Sequence, residues 1–342
     1  MNKAMIGIID ATTFHDTLED LLLHRSLAAV PLAGRYRLID FVLSNMVNSG
    51  MESVAIFPKY QYRSLMDHLG SGKDWDLSRK RDGLFFFPAP ALESIEEGLD
   101  SFNHFAHHID YFKRSHQDFA VISNCFSVSN MDFCQILDRH IAEECDITVV
   151  EQKGNPLDIF ILSTSLLISL IENRSNTGYS CMHDVLEDVK SQYSVNTYEY
   201  VDYVKKIENI NDYYDANMEI LSPSIWKHLF TDNNPIYTKV KDEPPTRYTK
   251  ESLVRNSMVA NGCLIEGDVD HSVVFRAAKV GKGSSLKNCI VMQKSQIGEN
   301  CVLESVILDK DVKIKDNVKL IGTPEEPIVI RKGLVQGELM NS

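Results

Sequence analysis

Over the first two thirds of the chain, short apolar runs alternate with stretches of helical periodicity. Met5 to Ile9, Ser53 to Phe57, Gly83 to Phe87, Phe119 to Ile122, Ile147 to Val150 and Asp158 to Leu162 read as strands. Tyr36 to Ser49, Tyr60 to Leu69, Ser101 to Arg114, Met131 to Glu144, Thr164 to Asn173 and Met182 to Val189 carry helical spacing. Strands separated by helices predict a mostly parallel sheet covered on both faces, a doubly wound, Rossmann-like α/β domain over residues 1–231.

The pattern changes at 232–251, DNNPIYTKVKDEPPTRYTKE, where three prolines and little apolar content predict a linker. From 252 to 342 apolar residues return about every six positions, as at Val280, Leu286, Ile297, Leu303, Ile314 and Leu320. In a parallel β-helix each such repeat forms one face of a triangular coil and the apolar positions stack inward. The alternative is a small antiparallel sandwich. A coil of this kind leaves side faces free for contacts, which suits assembly better than chemistry.

With 342 residues, 44% hydrophobic and 24% charged, the chain is long enough for two cores. Thirty-five Lys and Arg against 48 Asp and Glu leave a net charge of -13, which argues against a general nucleic-acid or membrane-surface binder. The seven cysteines are widely spaced with no CxxC pair, so reduced thiols are expected rather than a disulfide framework or a zinc site. No apolar run approaches the roughly 18 residues of a membrane span. A soluble, cytoplasmic protein is the expectation.

A leading strand such as Met5 to Asp10 is expected to run into a phosphate-cradling loop, yet Ala11 to Val30 contains no glycine. Beyond it the chain reads PLAGRYRLIDFVLSNMVNSG at 31–50 and KYQYRSLMDHLGSGKDWDL at 59–77. Together with the hexapeptide coil, these strings resemble bacterial glucose-1-phosphate adenylyltransferase, also called ADP-glucose pyrophosphorylase, over nearly the whole chain. The resemblance implies a nucleotidyltransferase domain followed by a left-handed β-helix.

In that family the first strand runs into GGxGTRL and then RAKP, and two distant aspartates hold Mg²⁺. Counting back from YRLIDF puts Thr12 and Thr13 on the paired glycines, His15 on the third glycine and Thr17 on the arginine. RAKP reads RSLA here, so Arg25 stays while Leu27 replaces the lysine. Phe126 falls on the first metal aspartate and Lys206 on the second, and the nucleotide-seating GTADA reads DSFNH at 100–104. Losing one preorganised charge-stabilising group costs about 10²- to 10³-fold in rate. The resemblance therefore points to a GlgD-type regulatory subunit with no catalytic residue, no metal and no cofactor of its own, Mg²⁺ belonging to the catalytic partner. It implies assembly with a homologous catalytic subunit as a heterotetramer, in glycogen synthesis from glucose 1-phosphate.

The resemblance also places Arg25, Arg35 and Arg37 in an anion-binding effector site between the two domains, for phosphorylated sugars or phosphate. Three guanidinium groups near one crevice suit phosphate capture; the alternative is a structural pairing of Arg37 with Asp40 or a neighbouring carboxylate. His183 and Asp184 match a pair near the family's sugar-phosphate pocket and read as structural without their partners. The segment EQKGNPL between Val150 and Asp158 is shorter than in the family, leaving Lys153 as the only residue to stand for a sugar-phosphate lysine.

Other signals favour plainer readings. His104, His107 and His108 fall on one predicted helix without carboxylates at ligand spacing, so a histidine cluster is favoured over a metal site. GSGK at 70–73 lacks the first glycine and the hydroxyl of a P-loop and reads as a loop. FFFP at 85–88 reads as a buried strand ending at proline. Two rivals stay open: an active nucleotidyltransferase with a rearranged loop, and a stand-alone sugar-phosphate sensor or scaffold. An acyltransferase of the β-helix type is disfavoured, since His271 is the only histidine in the repeats.

Overall fold

The computed structural model describes residues 4–12, 18–89, 100–190 and 192–337. Strand β1 (Met5–Ala11) lies inside a seven-stranded sheet, and its alternate side chains enter opposite layers. Ile6 and Ile8 pack with Phe102, Phe105 and Phe112, whereas Met5 and Ile9 belong to the larger core that contains Leu38, Phe41 and Met46. Period-two alternation in the strand thus sets two helical layers, as the α/β reading requires.

Two short strands, β2 (Pro31–Leu32) and β3 (Tyr36–Arg37), form an antiparallel hairpin ahead of β4 (Ser53–Pro58) and β5 (Gly83–Phe86). After β6 (Phe119–Asn124) come β7 (Ser127–Ser129), β8 (Ile147–Gln152), β9 (Asn155–Ser163), β10 (Val195–Glu199) and β11 (Val204–Lys206). The main sheet runs in the order β10-β8-β9-β6-β1-β4-β5, and β11 pairs with β7 apart from it. All neighbours are parallel except β9, which is antiparallel to both β6 and β8. The reason is local: β8 and β9 are joined by a tight hairpin at Lys153 and Gly154, both in left-handed backbone, so β9 must reverse direction.

The helices are α1 (Glu19–Leu22), α2 (Leu38–Asn48), α3 (Arg63–Leu69), α4 (Ser101–His107), α5 (Ile109–Arg114), α6 (Phe133–Ala142), α7 (Thr164–Thr177), α8 (Met182–Glu187), α9 (Ile210–Glu219) and α10 (Pro223–Leu229). Several differ from expectation. The helix expected from Tyr36 starts at Leu38, because Tyr36 and Arg37 are committed to the hairpin and Asp40 caps the backbone N–H of Arg37 at 2.9 Å. The helix expected over 101–114 is two helices, interrupted at His108, whose φ of -122° leaves the helical region. The FFFP run is not a buried strand: β5 is the sheet edge, and Phe85, Phe86 and Phe87 are half-buried.

The C-terminal part is a parallel coil of three sheets with six, five and five strands, the architecture of the left-handed β-helix class. Successive rungs align Val280 with Ile297 and Ile314, and Leu286 with Leu303 and Leu320, so the six-residue apolar positions do stack inward. Each corner column repeats a left-handed residue: His271, Asn288 and Ser305 in one, Ala277, Lys294 and Asp311 in the next, Gly283, Asn300 and Asn317 in the third. The coil's first strand, Arg247–Tyr248, falls within the segment read as a linker. The rest of that segment is pinned to α2, with Asn48 donating to the Pro235 carbonyl at 3.1 Å and Tyr237 N–H donating to Ser44 Oγ at 2.8 Å.

One face of the coil is buried against the α/β domain. Val273, Phe275, Ile290, Met292 and Ile307 join the same core as Leu27, Ala29, Tyr213 and Tyr214. The two domains therefore share apolar packing rather than hanging on a linker.

Candidate functional site

The carboxyl ends of β1 and β6 open onto a cleft of about 320 Å³, the position at which open α/β sheets present their sites. Asp10, Ser101, Asn124, Phe126, Asp158, His183 and Glu208 line it. Phe126 lies in the turn between β6 and β7, and Lys206 ends β11, which pairs with β7 through Lys206 and Ser127. The pairing brings the Lys206 ammonium to 5.7 Å from the centre of the Phe126 ring. Two positions far apart in sequence, both counted onto metal aspartates, thus come together beside the cleft that Phe126, Asp158 and Glu208 line.

Lys206 is held there by carboxylates. Its Nζ lies 2.8 Å from Asp158 Oδ2 and 3.0 Å from Glu208 Oε1, while His183 Nε2 lies 2.9 Å from Asp158 Oδ1. Asp158 reaches the cleft because Leu157 and Asp158 bulge out of the β8–β9 ladder, with Asp158 in left-handed backbone at φ 54°. Burial pushes its carboxyl up, but hydrogen bonds from His183 and Lys206 outweigh it and hold the group below the usual range. The bond to Asp158 holds His183 above its ordinary value against partial burial. For Lys206, burial acts downward but the two carboxylates win, so the ammonium is kept charged.

This donor set does not fit a divalent cation. Phe126 offers no lone pair, Lys206 puts a fixed positive charge where one would bind, and the same charge engages Asp158 and Glu208. Among the described residues no group of three or more His, Cys, Asp and Glu is arranged to hold a metal, and this includes the histidine run. His104 is fully buried in α4, beside Phe57, with neither ring nitrogen hydrogen-bonded.

The carboxyl end of β1 carries an acidic group at the cleft. Asp10 accepts from Thr12 N at 3.0 Å, from Thr12 Oγ1 at 2.7 Å and from Ser101 Oγ, so a carboxylate stands at the strand end. Thr13, His15 and Thr17 lie outside the described residues. Leu27, the residue counted onto a lysine, is buried in a 3₁₀ turn and supplies packing. Asp184 takes no part in the cleft. It caps α8, accepting from Ser180 N at 2.6 Å, Ser180 Oγ at 2.5 Å and Cys181 N at 3.2 Å. Lys153 sits at the hairpin tip, away from the residues that line the cleft.

A second cleft, of about 190 Å³, lies between the domains. The β2–β3 hairpin delivers Arg35, Tyr36 and Arg37 to it, turning through Ala33 and Gly34 at φ 49° and 75°, where a side chain on Gly34 would be strained. Helix α9 fixes that turn: Asn217 Oδ1 accepts from Ala33 N at 3.0 Å and Tyr213 Oη donates to the Pro31 carbonyl at 2.8 Å. The coil contributes Arg276, Lys294 and Lys310, and the connecting segment Lys241. The Arg37 guanidinium forms no ion pair with Asp40, whose carboxylate accepts from Arg37 only the backbone N–H. Its Nη1 donates to Ser64 O at 2.6 Å and Ser64 Oγ at 3.0 Å, while Asp40 Oδ1 is taken by His68 Nε2 at 2.6 Å.

Crowding marks the electrostatics of this pocket. Burial lowers Arg37 to about 10 and Lys310 to about 7, with further repulsion from Arg25 on both. Burial and neighbouring cations also lower Arg276 and Lys241. Arg25 does not line this cleft with Arg35 and Arg37. It is 2% exposed, and one guanidinium nitrogen donates to both oxygens of Asp309 at 2.7 and 2.9 Å, so its charge is neutralised within the domain joint. Sequence patterning does not single out Lys241, Arg276, Lys294 or Lys310; cations at coil corners and in a linker carry no local signature of a shared pocket.

A family model described as nucleotidyl transferase matches residues 17–156, and one described as GlmU-like, C-terminal hexapeptide matches residues 244–327. The chain is 55% identical over 341 residues to the glycogen biosynthesis protein GlgD of Bacillus subtilis, covering 100% of this chain and 99% of that relative. It is 56% identical to the glycogen biosynthesis protein GlgD of Geobacillus stearothermophilus, with both chains covered in full. The chain belongs to the GlgD family of glycogen biosynthesis proteins. Glucose-1-phosphate adenylyltransferase of Bacillus cereus is 30% identical over 84% of this chain and 87% of its own. The chain is thus homologous to adenylyltransferases across both of its domains, and no helix among its described residues is long and apolar enough to cross a membrane.

Proposed function

We propose that this GlgD-family chain is a non-catalytic regulatory subunit. In this reading it assembles in the cytoplasm with a homologous catalytic glucose-1-phosphate adenylyltransferase subunit, as a heterotetramer, and tunes ADP-glucose synthesis for glycogen. The observation that carries the reading is Lys206, ion-paired to Asp158 and Glu208 against Phe126, in the cleft where the family mechanism needs carboxylates free for Mg²⁺. A charge of the wrong sign opposes metal entry and a carboxylate at the mouth of β1 opposes a triphosphate. Catalysis and Mg²⁺ then belong to the partner. Arg35 and Arg37, with Arg276, Lys241 and Lys310, supply the effector site for phosphate or a phosphorylated sugar, where an anion would relieve the crowding of cations. Binding there reaches both domains at once, so it can bias how they sit and thereby how the assembly works.

The deciding experiment is kinetic. The purified chain, given ATP, glucose 1-phosphate and Mg²⁺, is expected to form no ADP-glucose above background. Added to the catalytic homologue it is expected to co-elute and to change turnover or effector response. Mg²⁺-dependent activity of the isolated chain would return the rearranged-loop enzyme to first place, and failure to co-elute would favour the stand-alone sensor.

A further inference from the structure

Lys310 sits at a junction. It lines the inter-domain pocket beside Arg37 and also the neighbouring opening that contains Arg25 and Arg63. The nearest carboxylate is already committed, since Asp309 accepts from Arg25 through both oxygens and from the backbone N–H of Lys310 at 2.7 Å. Lys310 itself is half-buried, and its ammonium forms no ion pair among the described residues. Such an amine, desolvated among fixed cations, holds its proton weakly.

We propose that Lys310 makes anion binding in the inter-domain pocket proton-linked: its amine, crowded by fixed cations and without a carboxylate partner of its own, gives up its proton readily while the pocket is empty and regains it from the buffered solvent when a phosphate-class anion enters. The inference rests on reading the pocket as an anion site, and adds how that site is regulated. The surroundings bear on it from every side. The β2–β3 hairpin presents Arg35 and Arg37, and α3 presents Arg63, Asp67 and His68. The connecting segment adds Lys241 and Glu243, and the coil adds Arg276, Lys294, Asp311 and Lys332. Cations outnumber carboxylates in this set, and the fixed guanidinium groups cannot shed charge near neutral pH, so the neighbouring amine is the group that yields. An entering dianion reverses the local potential and restores the proton. Two histidines also line these openings, His24 beside Arg25 and His68 beside Arg37, together with Tyr36; the His68 imidazole is already hydrogen-bonded to Asp40, and burial favours its neutral form.

The test is titration calorimetry with sulfate, which stays a dianion across the pH range, in triethanolamine and Tris buffers of different ionisation enthalpy at pH 7.5. The intact chain is expected to take up as much as about 0.8 proton per sulfate, the fraction by which an amine titrating at about 7 is deprotonated at that pH, with affinity falling up to about tenfold per pH unit above it. Lys310→Arg is expected to bind sulfate with no proton uptake, and Lys310→Met to bind it weakly with none. Binding without uptake by the intact chain, or uptake that persists in Lys310→Arg, overturns the inference and leaves the anion site standing. No sulfate binding by a folded intact chain overturns the anion site itself.

Discussion

Arg25 and Asp309 are 2% and 1% exposed, so each neutralises the other where water cannot. Removing one partner of such a pair costs about 3–5 kcal/mol, whereas replacing both with apolar residues is often neutral. Arg25→Met is therefore expected to lower the urea midpoint strongly, and Arg25→Met with Asp309→Leu to recover most of the loss. A double variant as weak as the single one would contradict this account. Arg25 was legible in the sequence as the surviving arginine of a motif, but its role was not, because its partner lies 284 residues away in a repeat. Phe126 and Lys206 were legible by counting from unmistakable neighbours. Asp158, which organises the cleft, was hidden inside an apolar strand. Only the bulge at Leu157 turns it inward, and a bulge has no signature in period-two alternation.

The helices α4 and α5 show how an element can be right in kind and wrong in extent. Their apolar spacing supports one helix, but His104 anchors in the aromatic layer with Phe57 at 5.2 Å while His108 leaves helical geometry and stacks on Phe87 at 4.3 Å. Burial pushes His104 down to about 4. An unfolded chain takes up that proton near pH 6.5 and the folded one does not until about 4. The histidine's contribution is thus full above pH 6.5 and lost as pH falls toward 4, by up to about 3 kcal/mol. Urea unfolding at pH 7 and pH 4.5 is expected to show that loss, and His104→Phe to shrink it; equal losses in both proteins would assign the acid sensitivity elsewhere. The edge strand β5 teaches a related lesson. Phe85 and Phe87 look like core in the sequence, yet which strand ends a sheet is settled by strand order, and no run of residues states that order.

For the whole molecule, the coil was the most legible part, since a period fixes inward positions without any long-range information. How the coil docks was not legible, because Val273, Ile290 and Ile307 read as ordinary repeat positions until the α/β domain covers their sheet. The shared core carries a prediction. Scanning calorimetry is expected to give one endotherm for both domains, with equal calorimetric and van't Hoff enthalpies. Two separated endotherms would mean that the joint contributes little.

A periodic surface poses a problem that an ordinary domain face does not. On the docked face Val273, Ile290, Ile307 and Val329 are successive rungs, nearly alike, and apolar packing by this column alone would tolerate the coil shifted by one step. The residues two positions further along each rung differ: Phe275, Met292, Asp309 and Arg331. Only one of the four can answer the buried guanidinium of Arg25, and a slip in either direction would set methionine or a second arginine against it. A single ion pair in the joint thus acts as an index mark, selecting one alignment out of several that hydrophobic burial cannot tell apart.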